Sequence, residues 1–193
     1  LQRATVYPRV TQEIGPIMNV DEIGSAINGL VNEFGLPTIT LPNGTAEGTP
    51  STGGQVGPGI DPGLYHVYFT AGVHPRERGG PDGLIYFIAD LLHAQRAGTG
   101  LTYGSRSYSN ADVITALNTG IVFFPLVNPD GVRHDQATDS LWRKNRNPAS
   151  SDGSPQSVGV DINRNSDFLW DFRTKFDPAV TGSSTLASDN PRL

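Results

Sequence analysis

The chain has 193 residues, a net charge of −5 and no cysteine. With 36% hydrophobic and 17% charged residues, 23 glycines and 15 prolines, it suits a loop-rich globular domain with a packed core rather than a disordered chain. The charge balance gives no global basic field to attract nucleic acid, no run approaches ~20 consecutive apolar residues, and the lack of cysteine excludes disulfides, thiolate zinc fingers and cysteine nucleophiles. In chain order, residues 1–17 read as an extended lead-in. Ile23, Ile27, Leu30, Val31 and Phe34 then recur at helical spacing, with Asn19 as N-cap, Glu22 three residues on, and Gly35 and Pro37 as the stop. LPTITL reads as a short strand. NGTAEGTPSTGGQVGPGIDPG, residues 43–63, is turn chemistry throughout and reads as loop, with Asn43-Gly44-Thr45 serving first as a turn and second as a glycosylation triplet.

LYHVYFTAGV, residues 64–73, predicts a strand, and DGLIYFIADLLHAQRA, residues 82–97, a helix with Leu84, Ile88, Leu91 and Leu92 on one face. Asn110 is placed to cap a second helix through Leu117. IVFFPLV, residues 121–127, predicts an apolar strand whose Pro125 marks an end or a bulge. A further short strand is expected at SVGVDI, before Asp161. Strands alternating with helices predict an α/β fold: a mixed, mostly parallel twisted sheet with helices on both faces. In such sheets sites form beyond the strand ends, and three polar clusters fall there.

The first cluster is His74-Pro75-Arg76-Glu77. A histidine and a glutamate three residues apart after a strand can converge on one ion, since zinc takes imidazole nitrogen at ~2.0–2.1 Å and carboxylate oxygen at ~2.0–2.2 Å. The same residues also suit a salt-bridged surface loop. The second is VNPDGVRHDQATDSLWRKNRNP, where Asn128-Pro129-Asp130-Gly131 reads as a turn. Arg143, Lys144 and Arg146 suit a solvated basic edge, with room for one of them to face a cleft and stabilise negative charge. The third is GVDINRNSDFLWDF. Asn163-Arg164-Asn165 is a dense set of donors suited to a carboxylate or to holding a loop, and Phe168, Trp170 and Phe172 alternate as core or pocket wall. His66, His93 and His134 are better explained by packing or surface than as ligands.

HPRE at 74–77, NPDG at 128–131, LWRKNR at 141–146 and GVDINRN at 159–165, in this order, resemble the zinc carboxypeptidase family, the metallocarboxypeptidases related to pancreatic carboxypeptidase A. The helical N-terminal stretch looks like that of bacterial members. The resemblance implies that His74 and Glu77 are two ligands of one zinc ion whose third protein ligand lies outside this chain. It implies that Arg143 stabilises the oxyanion, that Asn163 and Arg164 grip the substrate's terminal carboxylate, and that Arg76 faces a more distant subsite. The expected reaction is hydrolysis of C-terminal residues from peptides. Two other readings stand beside it: a non-catalytic relative that binds peptides or acts as a scaffold, and an amidase acting on peptidoglycan peptides.

Three departures from the family pattern matter. Arg78 stands where many members have tryptophan, Glu47-Gly48-Thr49 reads EGT where EGR is usual, and the chain ends at Leu193. Residues 1–193 are therefore expected to form the N-terminal part of one peptidase catalytic domain. The segment 181–193 would be a loop leading to a C-terminal part of the same protein, which becomes its expected partner. The other expected partners are peptide or protein C-termini, with neither nucleic acid nor membrane. A composition poor in charge and rich in Gly, Thr, Ser and Asn points to a secreted or extracellular setting.

Overall fold

A computed structural model of the protein describes residues 17–59 and 61–164. The lead-in before Ile17, the aromatic alternation at 168–172 and the tail at 181–193 lie outside the described residues. Helix α1, Val20–Phe34, starts where the sequence predicts. The Asn19 side chain accepts the Glu22 N–H at 2.9 Å, and the Glu22 carboxylate takes the Asn19 N–H at 2.8 Å, a reciprocal cap. Gly35 ends the helix in the left-handed conformation at φ 65°, and Val20, Ile23, Ala26, Ile27 and Leu30 are buried.

The sheet contains β1 (Thr38–Thr40), β2 (Thr52–Val56), β3 (Val67–Thr70) and β6 (Ile121–Phe124), in the order β1-β2-β6-β3. It is mixed, as expected. Within the described residues β3 pairs parallel to β6, while β1–β2 and β2–β6 are antiparallel. The return from β3 to a parallel β6 runs through α2 (Gly79–Ala97), a hairpin of β4 (Leu101–Tyr103) and β5 (Arg106–Tyr108), and α3 (Asn110–Asn118). All four residues of the predicted apolar face of α2 are buried, and β6, ending just before Pro125, puts Phe123 at the centre of the core.

Four sequence expectations need correction. Residues 43–63 contain β2, whose Gly53 and Gly54 had read as turn residues. A Cβ on Gly53 would lie 2.0 Å from the Phe123 carbonyl oxygen, and one on Gly54 2.7 Å from the Phe123 ring, so these glycines mark close packing on β6. The cap of α3 is Ser109, not Asn110, because Ser109 and Asp112 form the reciprocal pair. NPDG is no isolated turn: Asn128 caps α4 (Pro129–Thr138), with Pro129 in its first turn. SVGVDI forms no strand. Val160 is held instead by Asn145, whose backbone N–H donates to the Val160 carbonyl at 3.0 Å and whose side chain accepts the Val160 N–H at 2.8 Å. Among the described residues no helix is long and apolar enough to cross a membrane.

Candidate active site

Parallel pairing makes β3 and β6 exit at the same end of the sheet, so the loops beginning at Ala71 and Pro125 run side by side. Ala71 N–H donates to the Phe124 carbonyl at 3.0 Å, and the Val127 and Asn128 N–H groups donate back to Ala71 and Gly72, each at 3.0 Å. Asn128 then stitches the motifs together. It is buried, its Nδ2 donates to the carbonyls of Val73 and Lys144 at 3.1 Å each, and its Oδ1 accepts the Gly131 N–H at 3.1 Å. A Cβ at Gly131 would sit 2.5 Å from Pro75 Cγ and 2.6 Å from Asn128 Nδ2, so only glycine fits against the first cluster. Asp130, also buried, accepts the Glu47 N–H at 2.9 Å, anchoring the EGT stretch. Two arginines reach that stretch from elsewhere, Arg133 to the Thr49 hydroxyl at 2.9 Å and Arg146 to the Glu47 carboxylate at 3.6 Å.

The result is a compact polar group. His74 is buried; its Nδ1 lies 2.9 Å from Glu77 Oε1 and its Nε2 lies 3.1 Å from Asp161 Oδ1. Arg143 Nε donates to Asp161 Oδ2 at 2.7 Å, and its NH1 lies 3.8 Å from Glu77 Oε1. Asp161 is 1% exposed, a buried charge that needs donors. Burial alone pushes its carboxyl up, but hydrogen bonds from Arg143 and then His74 outweigh this and hold it below the usual carboxylate range. The Asn163 N–H adds a third donor at 3.0 Å.

Asp161 is the residue that sequence reasoning left without a role. It stood inside GVDINRN, but only the fold brings it to His74, 87 positions away in sequence. The same contacts lead into the 3-10 turn Ile162–Arg164, where Asn163 and Arg164 are exposed and Arg164 NH1 donates to the Asn163 carbonyl at 2.9 Å. Arg76 is exposed on the His74 loop, while its backbone N–H donates to the Trp142 carbonyl at 3.0 Å. Thus His74, Glu77 and Arg143 come together around Asp161, and Asn163 and Arg164 follow directly in chain. His93 packs edge-on against Phe34, and His134 against Trp142.

The chemistry of the donor set fits a cation between His74 and Glu77. A neutral imidazole carries one N–H and can donate to only one of its two carboxylate neighbours. Asp161 has almost no access to water, whereas the Glu77 side chain is 61% exposed, so the N–H belongs on Nε2 facing Asp161. That leaves the Nδ1 lone pair facing a carboxylate oxygen, two acceptors which a metal ion would satisfy, with Asp161 fixing the tautomer as carboxylates do behind metal-bound histidines. Among the described residues no three or more His, Cys, Asp or Glu are grouped so as to hold a metal ion.

A family model described as zinc carboxypeptidase matches residues 43–192. This chain belongs to the zinc carboxypeptidase family. Its curated relatives include metallocarboxypeptidase A of Arthroderma otae, 44% identical over 62 residues, which are 32% of this chain and 14% of the relative. They also include a protein of Ajellomyces dermatitidis named inactive metallocarboxypeptidase ECM14, 34% identical over 105 residues, 54% of this chain and 15% of that one. Among solved structures, carboxypeptidase A from Helicoverpa armigera superposes with a TM-score of 0.61 at 22% identity, covering 88% of this chain and 37% of the other. Thrombin-activatable fibrinolysis inhibitor gives a TM-score of 0.61 at 20% identity, covering 78% and 34%. Both share the fold, and the chain spans only a small part of each curated relative and about a third of each solved chain.

Proposed function

We propose that this chain supplies the N-terminal part of a zinc-dependent carboxypeptidase, with His74 and Glu77 as two ligands of one zinc ion. The observation that carries the reading is the His74 ring held between buried Asp161 and exposed Glu77, with Arg143 fixed on the same Asp161. Zinc bound there supplies Lewis-acid polarisation of a carbonyl and a water activated near neutral pH. Asp161, 3.1 Å from His74 Nε2, orients the ring so that Nδ1 faces the ion. Arg143 uses Nε for Asp161, and its terminal amino groups remain to donate to the oxyanion that develops on the scissile carbonyl, a contact worth about 3 kcal/mol in a dry site. Asn163 and Arg164, exposed one turn further along, bind the terminal carboxylate of a peptide, with arginine offering a bidentate fork. That anion exists only at a chain end, which makes the reaction exopeptidase hydrolysis, and Arg76 on the His74 loop meets the substrate further from the scissile bond.

Replacing Glu77 with Ala in the whole protein should abolish zinc retention after dialysis at neutral pH, read by elemental analysis. Unchanged zinc content would remove Glu77 from the ligand set. The similarity to a relative named inactive supports a second reading, a peptide-binding relative without hydrolysis. Zinc content together with release of C-terminal residues separates the two, because only the enzyme loses hydrolysis when a chelator removes its metal.

A further inference from the structure

Arg78 departs from the family pattern, and its contacts lead to Arg143. From the position before α2 its side chain crosses to the far end of α4. There Nε donates to Asp135 Oδ2 at 2.8 Å and NH2 meets Asp139 Oδ1 at 2.7 Å. Asp135 is fully buried, and its other oxygen accepts the Trp142 N–H at 2.5 Å. The turn between α4 and Trp142 is unusual: among the described residues, Asp139 at φ 48° and Leu141 at φ 55° are the non-glycine residues of positive φ. Such a backbone persists only where its surroundings hold it. Leu141 is 64% exposed and gives the turn no apolar anchor. Two polar contacts of the turn lead to Arg78, that of the Asp139 carboxylate directly and that of the Trp142 N–H through Asp135, while Ser140 is met by the Thr138 hydroxyl.

The Trp142 residue is consequently held on both sides, from the loop that carries His74 and from α4. Its carbonyl accepts the Arg76 N–H, and its N–H is taken by Asp135, which Arg78 neutralises. The next residue is Arg143, bonded to Asp161 and thereby to His74.

We propose that Arg78 is a positioning residue: through buried Asp135 it fixes the Trp142 backbone, and so sets where the Arg143 guanidinium stands relative to the His74–Glu77 pair. The effect on catalysis rests on the carboxypeptidase reading; the positioning itself does not. A guanidinium suits the position because one side chain serves two carboxylates in a fixed fork, which a lysine ammonium does less well.

The test uses the whole zinc-loaded protein with Arg78→Met, Arg78→Lys, Arg143→Met and the Arg78→Met/Arg143→Met pair. Amide hydrogen exchange across residues 139–144 should quicken about ten-fold or more in Arg78→Met, while α1 keeps its protection. On a peptide with a free C-terminus, kcat should fall roughly 10- to 100-fold with KM little changed, as expected for a misplaced transition-state donor. Arg78→Lys should recover part of both losses. In the Arg143→Met background the Arg78→Met change should cost less than about two-fold, since the group it positions is gone. Unaltered exchange at 139–144 would overturn the proposal, and so would kcat losses that multiply in the paired variant. Should the unchanged protein neither hold zinc nor hydrolyse peptides, the carboxypeptidase reading fails, and the exchange measurement alone decides for or against the positioning.

Discussion

Asn128 offers a sharp test of how the two motif loops are held. It is 2% exposed and its side chain makes three hydrogen bonds of 3.1 Å: a helix cap to Gly131 N–H and two bridges to the carbonyls of Val73 and Lys144. Replacement by Ala removes the cap, worth about 1 kcal/mol, and strips two carbonyls of their donor at about 1 kcal/mol or more each. The sum is roughly 3–4 kcal/mol. Replacement by Asp separates the two roles. Aspartate is as good an N-cap as asparagine and gains from the helix dipole, so a residue that only capped α4 would tolerate it. Here, however, it would place a carboxylate oxygen where Nδ2 stands, 3.1 Å from two carbonyl oxygens and out of reach of water. Asn128→Asp should therefore be at least as destabilised as Asn128→Ala. Urea unfolding followed by circular dichroism at pH 8 measures this: with a slope of about 2 kcal/mol/M, both midpoints should fall by ~1.5–2 M. An aspartate variant within about 1 kcal/mol of the unchanged protein would refute the bridging argument.

Two further outcomes are expected. Arg164→Ala should impair hydrolysis of peptides with a free C-terminus while sparing residual cleavage of C-terminally amidated ones; equal losses on both would contradict a carboxylate-binding role. His134, packed edge-on against Trp142 at 4.8 Å, is held below the usual histidine range by burial first and by Arg146 next. The folded state then binds fewer protons than the unfolded chain between its own pKa and about 6.5, so this contribution is complete above pH 6.5 and is lost as pH falls through the folded value. His134→Gln should flatten that part of the stability–pH curve, and parallel curves for the two proteins would reject the burial argument.

Much of the fold was legible because its signals are local. The Asn19–Glu22 cap, the apolar spacing of α1 and α2 and the stop at Pro125 each depend on residues within a few positions. The errors arose where a residue's local grammar serves a distant partner. Gly53 and Gly54 looked like turn residues because their reason, the face of Phe123, lies on another strand. NPDG reads equally as a turn or as a helix start, and the helix after it is short of apolar residues because its buried positions include Asp130 and Asp135. The β4–β5 hairpin escaped because three-residue strands are too short for alternation to register.

By itself the sequence determined the class of residues available for chemistry: a histidine and a glutamate at i and i+3 after a strand, an arginine beside Trp142, and an Asn-Arg pair after Asp161. It also marked each as standing at a strand or segment end. Only the tertiary structure decided that they meet. The parallel register of β3 with β6 brings two loops to one edge, Asn128 ties them, Asn145 returns the chain at Val160, and Asp161 joins His74 to Arg143. The physical reason lies in burial: a carboxylate shut off from water takes its donors from wherever the fold can bring them, and no local pattern records where they come from. Arg78 shows the same division, an unexplained charge in sequence and, in the fold, the counter-ion of a buried aspartate that holds the Trp142 backbone.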